Sequence, residues 1–141
     1  MKPAVAYLGL GGMGLAMTTR LLDAGYPLTI WNRSPDKASA LTARGARLTP
    51  NPEDAVASAD IVFSMVSDDQ ALEGIALGPQ GFIAAMKPGA LHVSMSTILP
   101  ATATRLAGIH RERGTAYIAA PVFGRPEAAA AGKLWICISG K

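Results

Sequence analysis

The 141-residue sequence predicts an α/β fold, in which helices cover both faces of a doubly wound, mostly parallel sheet. Strand and helix patterns alternate from one end of the chain to the other. The strand segments are largely apolar along their length, as expected of strands that are buried on both faces. Half of the residues are apolar and only 16% are charged, which suits such a sheet. The length favours a single domain, residues 1–141.

Strands are predicted at short apolar runs that are bounded by glycine, proline or polar residues. The apolar character of the run 61–66 indicates a central strand. In chain order, the predicted strands are residues 4–8, 28–31, 46–48, 61–66, 90–94, 117–119 and 134–138.

Helices are predicted between recognisable start and stop residues. A capping residue followed by proline marks two starts, at Ser34 and Asn51. A glycine just beyond the helical pattern marks three ends, at Gly25, Gly45 and Gly114. In chain order, the predicted helices are residues 15–24, 34–44 and 51–58, one from Asp68 or Asp69 to the break at Gly78, a short one ending near Met86, and residues 100–113 and 127–131.

The most informative segment is a G-x-G-x-x-G turn between the first strand and the first helix. Its first glycine permits the tight turn, its second lets phosphates approach the backbone, and its third lets the helix pack close to the sheet. Backbone N–H groups and the positive end of the helix dipole then face an anion. A dinucleotide diphosphate is therefore predicted to bind here; the alternative is a glycine-rich turn without a ligand. The turn consists of Gly9, Leu10, Gly11, Gly12, Met13 and Gly14.

Ligands of such sheets bind beyond the carboxyl ends of the strands, where the strand order reverses. The segments that follow Leu8, Trp31, Val66 and Ser94 are therefore expected to line one crevice. This arrangement is that of a Rossmann-type fold.

The residues after the second strand bear on which nucleotide binds. NAD-binding sites usually place Asp or Glu there, to accept hydrogen bonds from the ribose. This chain has Asn32, Arg33 and Ser34 instead, and the guanidinium of Arg33 matches a 2′-phosphate. The sequence therefore favours NADP(H) over NAD(H), and argues against FAD or S-adenosylmethionine. The alternative is a solvated Arg33 and a Ser34 that only caps a helix.

Composition argues against several other classes of partner. The net charge is +3, but the basic residues are scattered, so no nucleic-acid partner is expected. Cys137 is the single cysteine and is expected to be a buried strand residue, so neither a disulfide framework nor a metal site is predicted. The weakly charged start of the chain is interrupted by glycines and Pro3, which argues against a signal peptide or membrane span. We therefore expect a cytoplasmic location.

Several motifs in register resemble one known family. They are Gly9 to Gly14, Trp31-Asn32-Arg33-Ser34, Ala59-Asp60-Ile61-Val62-Phe63, Met95-Ser96-Thr97-Ile98 and Ala120-Pro121-Val122. Together they resemble the N-terminal domain of the β-hydroxyacid dehydrogenases, which include 3-hydroxyisobutyrate dehydrogenase and glyoxylate/succinic-semialdehyde reductase. The cofactor domain of that family is related to that of 6-phosphogluconate dehydrogenase.

The resemblance implies roles for individual residues. Besides the glycine turn and residues 32–34, it implies that Met65, Val66 and Ser67 pass beneath the cofactor. It also implies that Ser96 and Thr97 contact the nicotinamide and the substrate, although both could equally cap the helix that starts at Pro100.

The chain departs from the family pattern in its substrate segment. Family members commonly read Asp-Ala-Pro-Val-Ser-Gly-Gly where this chain has residues 119–125. The serine that would bind a substrate carboxylate is Phe123, which cannot donate that hydrogen bond. By their position, Phe123, Gly124 and Arg125 are the residues expected to contact the substrate. Either Arg125 replaces the serine as the partner of the substrate anion, or the substrate is less polar or bulkier. The resemblance here is to the branches of the family that are close to imine reductases.

A second departure concerns the catalytic acid/base. The family's helical second domain, which carries a catalytic lysine, has no counterpart in these 141 residues, and Lys133 and Lys141 do not match its context. His92 and His110 are expected to be structural. The sequence therefore predicts the NADP(H)-binding domain of an oxidoreductase that exchanges a hydride with a small hydroxy acid/oxo acid or related imine, without turnover on its own. The alternative is a non-catalytic nucleotide-binding or interaction module; self-association through an uncovered face is a further hypothesis.

Overall fold

The computed structural model describes residues 2–123, 126–132, 135, 136 and 138–140. Its main element is a seven-stranded sheet, six strands of which are parallel, and this confirms the predicted Rossmann-type α/β class. A separate two-stranded ribbon lies near the end of the chain. The strands are β1 (Val5–Leu8), β2 (Leu28–Trp31), β3 (Arg47–Leu48), β4 (Ile61–Ser64), β5 (Leu91–Ser94), β6 (Ala116–Ala119), β7 (Val122–Phe123), β8 (Trp135–Ile136) and β9 (Ser139–Gly140).

The strand order is β3-β2-β1-β4-β5-β6-β9. The chain first builds outwards from β1 to β3 on one side, and then returns to place β4 on the other side of β1. The carboxyl end of β1 is thus the point where the strand order reverses, and neighbouring connections leave it in opposite directions. β4 lies between β1 and β5, as predicted for a central strand.

Most predicted helices are present. The longest, α6, begins at Pro100 and ends before Gly114, whose φ of 74° is left-handed. Two differ from prediction: α1 begins at Gly12, inside the glycine turn, and the helix expected over 34–44 is a 3-10 turn, Pro35–Ala38, followed by one α turn. The α-helices are α1 (Gly12–Asp23), α2 (Ser39–Thr42), α3 (Pro52–Val56), α4 (Asp69–Ala76), α5 (Phe82–Ala85), α6 (Pro100–Arg113) and α7 (Pro126–Ala130).

The last predicted strand, residues 134–138, is present at Trp135–Ile136, which forms β8, whereas Ile138 is not in a strand and residues 134 and 137 lie outside the described residues. β8 pairs antiparallel with β7 in the separate ribbon, and β9 pairs antiparallel with β6 at the sheet edge. An antiparallel neighbour can follow after a short connection, whereas another parallel strand would need a crossover of a dozen residues or more. The strand within the predicted run, β8, therefore belongs to the ribbon, and the last strand of the main sheet, β9, follows that run.

The sheet separates two apolar cores. Successive residues of β1 point to opposite faces, so Ala6 and Leu8 belong to one core and Val5 and Tyr7 to the other. The first core is covered mainly by α3, α4, α5 and α6, and the second by α1 and α2. None of the helices within the described residues has the length and apolar character needed to cross a membrane.

Candidate functional site

A crevice lies at the carboxyl ends of β1, β2 and β4, where the strand order reverses. Its volume is about 660 Å³. Sheets of this type bind ligands at this position. The lining residues are Gly9, Leu10, Gly11, Gly12, Met13, Gly14, Trp31, Asn32, Arg33, Met65, Val66, Ser67, Gln70, Ala71, Gly74 and Ile75.

The glycines of the turn differ in what surrounds them. Gly9 has a φ of 106°, and a Cβ there would lie 2.0 Å from the carbonyl oxygen of Met65. A Cβ on Gly14 would lie 2.1 Å from the carbonyl oxygen of Gly9. A Cβ on Gly11 would meet nothing within 4 Å. Gly9 and Gly14 are thus required by the fold, whereas Gly11 leaves space that a ligand can use.

The start of α1 offers an anion site beside Gly11. The first helical hydrogen bond runs from the Leu15 N–H to the Gly11 carbonyl at 2.9 Å, so the N–H groups of Gly12, Met13 and Gly14 have no partner one turn earlier. In the described part of the chain, no side chain caps this end and its first turn contains no acidic residue. The exposed amides and the positive end of the helix dipole therefore fit a diphosphate.

Two hydrogen bonds attach the glycine turn to the end of β2. The Gly9 N–H donates to the Trp31 carbonyl at 2.9 Å, and the Leu10 N–H donates to Oδ1 of Asn32 at 2.7 Å. The Asn32 Nδ2 donates in turn to the Ser34 carbonyl at 2.9 Å. The side chain of Asn32 thus joins the two segments that the sequence assigns to the diphosphate and to the ribose.

Arg33 is exposed and lies between two cavities. It lines the main crevice and also a neighbouring cavity of about 500 Å³. Among the described residues, no carboxylate lines either cavity, and Arg33 has no ion pair. Ser34 lines neither cavity, and although it precedes the 3-10 turn its side chain makes no capping hydrogen bond. The second cavity is lined by Trp31, Asn32, Arg33, Pro35, Leu48, Thr49 and Pro50.

Met65, Val66 and Ser67 line the crevice after β4, where they were predicted. The Val66 N–H donates to Oγ of Ser96 at 2.8 Å, so Ser96 holds this segment in place. Ser96 is buried and Thr97 is exposed, and neither belongs to the lining of the crevice. Their assignment to nicotinamide and substrate stays a prediction.

Neither Ser96 nor Thr97 caps α6. The residue before α6 is Leu99, and its N–H donates to Oδ2 of Asp69 at 3.0 Å. The cap therefore comes from α4, and hydrogen bonds from the Thr102 side chain and the Leu99 backbone hold the pKa of Asp69 below its usual value. The helix-capping alternative for Ser96 and Thr97 is wrong.

Part of the predicted substrate segment lies outside the described residues. Gly124 and Arg125 are among these, as are Lys133, Cys137 and Lys141. The backbone of Phe123 belongs to β7, which pairs with β8. The predicted substrate roles of residues 123–125 therefore stay predictions.

Helix α4 supplies crevice residues that the sequence analysis missed. They are Gln70, Ala71, Gly74 and Ile75, which share one helical face because Gly74 follows Gln70 by four positions and Ala71 by three, and Ile75 follows Ala71 by four. A Cβ on Gly74 would meet nothing within 4 Å, so this glycine widens the crevice. The spacing of these residues in the sequence indicates that they share a helical face, but it does not indicate which other element that face packs against.

His92 and His110 lie in the core, as expected for structural residues. His92 Nε2 lies 2.7 Å from Ser64 Oγ, His92 Nδ1 lies 2.9 Å from His110 Nε2, and His110 Nδ1 lies 2.7 Å from Thr115 Oγ1. Thr115 also donates to the His110 carbonyl, so its oxygen accepts the hydrogen bond from the His110 ring. His110 then accepts from His92, and His92 accepts from Ser64. Each of these hydrogen bonds is satisfied in this arrangement. Burial lowers the pKa of His110 to about 4 and that of His92 well below its usual value.

The crevice suits binding and orientation rather than proton transfer. Of the described residues that line it, Arg33 is the one ionisable side chain, and arginine does not act as an acid or base near neutral pH. A parallel sheet with this strand order, an open glycine turn and an uncapped helix start define a dinucleotide-binding domain.

Residues 4–141 match the family of the NAD binding domain of 6-phosphogluconate dehydrogenase, and the chain belongs to that family. It is 40% identical over 136 residues to an uncharacterized oxidoreductase, YfjR, of Bacillus subtilis and to the NAD-dependent L-serine dehydrogenase of Pseudomonas aeruginosa. It is 38% identical to the human cytokine-like nuclear factor N-PAC. The alignments span 96% of the chain and 48%, 46% and 25% of these relatives.

Solved structures agree with this assignment. The 3-hydroxyisobutyrate dehydrogenase of Mycobacterium tuberculosis, solved with L-serine, superposes with a TM-score of 0.92 at 30% identity, over 100% of this chain and 47% of that one. Psf3 in complex with NADP+ and 2-OPP gives 0.93 at 34% identity, over 98% and 49%. The chain spans about half the length of these two structures and of the two bacterial relatives, and it is a nicotinamide-dinucleotide-binding domain.

Proposed function

We propose that this chain is the NADP(H)-binding domain of a β-hydroxyacid-dehydrogenase-like oxidoreductase. The observation that carries the proposal is Arg33, an exposed guanidinium between two cavities that no described carboxylate lines. A fixed positive charge at the end of β2 favours a 2′-phosphate, and a carboxylate there would repel it. Psf3, which is similar over nearly the whole chain, was solved with NADP+ and supports the proposal.

Each segment of the crevice has a part in holding the cofactor. The amides of Gly12, Met13 and Gly14 bind the diphosphate, and Arg33 binds the 2′-phosphate. Met65, Val66 and Ser67 form the wall beneath the dinucleotide, at a position that Ser96 holds. The bound dinucleotide supplies or accepts the hydride.

The proposed substrate is a small hydroxy acid or the corresponding oxo acid, or a related imine. The L-serine dehydrogenase, and the 3-hydroxyisobutyrate dehydrogenase solved with L-serine, support this class because both names specify small hydroxy acids. Hydride transfer to a carbonyl also needs a proton donor. The described crevice residues offer none, so we propose that the 141-residue chain binds NADPH without steady-state turnover.

Replacing Arg33 tests the cofactor preference. Arg33→Ala is expected to weaken NADPH binding by about tenfold or more and to leave NADH binding within about twofold, because only NADPH carries the 2′-phosphate. Calorimetric titration of both nucleotides measures the change. The matched control is Arg47→Ala, which removes the same charge from an exposed residue that lines neither cavity. Equal losses for NADPH and NADH would contradict the 2′-phosphate role.

A non-catalytic module is the second candidate. It is favoured by the similarity to nuclear factor N-PAC and by the absence of an acid/base group among the described lining residues. A dehydrogenase assay with small hydroxy acids, using the protein in which this domain naturally occurs, separates the two functions. Turnover supports the oxidoreductase, and NADPH binding without turnover there supports the module.

A further inference from the structure

Asn32 lies between the two segments that face the proposed cofactor. Its side-chain oxygen accepts the Leu10 N–H at 2.7 Å, and its side-chain nitrogen donates to the Ser34 carbonyl at 2.9 Å. One bond reaches a residue 22 positions earlier in the chain, and the other reaches two positions later. A single amide group thus connects the glycine turn to the loop that carries Arg33.

The bond to Leu10 orients the glycine turn. The Leu10 side chain is fully buried, and the preceding N–H, that of Gly9, donates to the Trp31 carbonyl. Two consecutive amides of the turn therefore point to the end of β2, and the following amides, at the start of α1, are left for an anion. Without the Asn32 oxygen, the Leu10 N–H would lose its partner, at the cost of an unsatisfied amide in a partly buried position.

The bond to Ser34 restrains the loop around Arg33. Asn32 and Ser34 flank Arg33, so the side chain-to-carbonyl bond closes a short local turn with Arg33 in its middle. Arg33 itself is exposed and forms no ion pair with any described residue that would hold it otherwise. This turn restrains the backbone of Arg33, from which the guanidinium extends towards the two cavities.

We infer that Asn32 is a positioning residue, which controls the affinity for the whole dinucleotide through Leu10 and the preference for the 2′-phosphate through Ser34 and Arg33. The inference rests on the proposed NADP(H) function. A direct ligand of the 2′-phosphate would affect NADPH alone, whereas a residue that orients the diphosphate turn affects NADPH and NADH together.

Two substitutions separate the two bonds of Asn32. Asn32→Ala removes both of them. Asn32→Asp keeps an oxygen that can accept the Leu10 N–H, but it removes the donor to Ser34 and places a negative charge beside Arg33. Asn32→Asp therefore preserves the orientation of the glycine turn, while its negative charge repels a 2′-phosphate.

The experiment is calorimetric titration of NADH and NADPH into the wild-type chain and the two variants. Asn32→Ala is expected to weaken NADH by about tenfold, through the lost contact with Leu10, and to weaken NADPH several-fold more, through the lost bond to Ser34. Asn32→Asp is expected to return NADH affinity to within about twofold of wild type while NADPH stays weakened by about tenfold or more. Arg33→Ala, which weakens NADPH alone, is the comparison for loss of a direct phosphate contact.

The outcomes distinguish this inference from the proposed function. Loss of NADPH binding alone in Asn32→Ala would show a direct ligand and overturn the positioning role, while NADP(H) binding by the domain would stand. A wild-type chain that binds neither nucleotide would remove the proposed function and the inference together. Should Asn32→Ala fail to fold, Asn32→Asp decides: retained NADH affinity supports the inference, and lost NADH affinity overturns it.

Discussion

The glycines of the turn at residues 9–14 have different structural roles. Gly9 and Gly14 are needed by the protein itself, since a Cβ on either would meet a backbone carbonyl oxygen at 2.0 or 2.1 Å. Gly11 is different, because a Cβ there would meet nothing within 4 Å. Its backbone angles, φ −67° and ψ −176°, are also open to other residues. The fold therefore does not require a glycine at position 11, and we expect that the close approach of the proposed diphosphate does.

Alanine substitutions separate these two requirements. Gly14→Ala is expected to lower the free energy of unfolding by about 1–3 kcal/mol, because the added methyl group overpacks the contact with β1. Gly11→Ala is expected to change it by less than about 1 kcal/mol and to weaken NADPH binding by more than about tenfold. Denaturant unfolding and nucleotide titration measure the two effects.

Gly108→Ala serves as the control, because Gly108 lies within α6 with nothing within 4 Å of its Cβ position. It is expected to gain up to about 1 kcal/mol of stability through helix propensity, with unchanged NADPH affinity. A Gly11→Ala variant that binds NADPH as tightly as wild type would show that the diphosphate lies elsewhere.

The positions of the residues that line the crevice were more predictable from the sequence than the contacts that their side chains make. Residues 9–14, Asn32, Arg33 and 65–67 all line it, as their places after successive strands implied. The bond from Asn32 to Leu10 was not predictable, because it depends on the register in which β1 and β2 pair. Ser34 is the reverse case, a predicted lining residue that contributes its carbonyl to Asn32 and lies outside the lining.

At the scale of elements, two helix starts that look alike in the sequence differ in the structure. Both have a polar residue followed by proline, at Ser34 and at Asn51. Asn51 accepts the Asp54 N–H at 2.8 Å through Oδ1 and caps α3, whereas Ser34 makes no side-chain cap and is followed by a 3-10 turn. The Asn51 side chain accepts the third amide of α3, whereas the third amide after Ser34, that of Lys37, donates to the Ser34 backbone carbonyl at 3.3 Å.

This difference predicts unequal effects of alanine. Asn51→Ala is expected to lower the free energy of unfolding by about 1 kcal/mol, because it removes a helix cap. Ser34→Ala, the matched variant, is expected to leave it within about 0.5 kcal/mol. Thermal and denaturant unfolding of both variants measure this, and equal losses would contradict the assignment of the two starts.

Element ends were predicted least well where tertiary pairing decides them. α6 was predicted with the correct ends, since Pro100 and Gly114 are strong local signals. α1 begins three residues before the predicted start, because Gly12 and Gly14 are helical despite their low propensity. The run 134–138 was apolar enough to predict one strand of the main sheet, but β8 within it pairs with β7 in the ribbon, and the strand that pairs with β6 is Ser139–Gly140, just beyond the run.

At the scale of the whole molecule, a polar chain crosses an otherwise apolar core. It runs from Ser64 in β4 through His92 in β5 and His110 in α6 to Thr115, just before β6. Phe82 and Tyr117 pack against the histidine rings. Each histidine is neutral in the folded state because burial lowers its pKa, and the Coulombic effect of His110 lowers that of His92 further.

The buried histidines predict that the fold loses stability in mild acid. In the unfolded chain, each histidine takes up a proton near pH 6.5. In the folded chain, His110 does not take up a proton until the pH falls to about 4. The unfolded state thus binds more protons in this interval, so stability is full above pH 6.5 and falls as the pH decreases. The limiting slope is about 1.4 kcal/mol per pH unit for each histidine.

Denaturant unfolding between pH 7.5 and 4.5, at about half-unit steps, measures this slope. Asp60 and Asp69 change the stability mainly below this pH range, because their pKa values lie below the usual aspartate pKa of 3.8. The His92→Gln variant, which removes one titrating ring, is expected to show about half the slope. Stability that stays constant from pH 7 to pH 5 would contradict the neutral, buried pair.

The general architecture was the most predictable level, because alternating strand and helix patterns permit few arrangements. The mostly parallel sheet was predicted from this alternation and the crevice beside β1 from the glycine turn, whereas the strand order was not predicted. The contribution of α4 to the crevice was not predicted, because the rotation of a helix about its axis depends on packing with elements distant in sequence.

The most direct test of the central claim is calorimetric titration of the wild-type chain with NADPH and, separately, with NADH. We expect one saturable site for NADPH, with a dissociation constant at least about tenfold lower than that for NADH at the same salt concentration. Absence of any heat with NADPH from a chain whose circular dichroism shows it to be folded would contradict dinucleotide binding. Equal affinity for NADPH and NADH would contradict the role of Arg33.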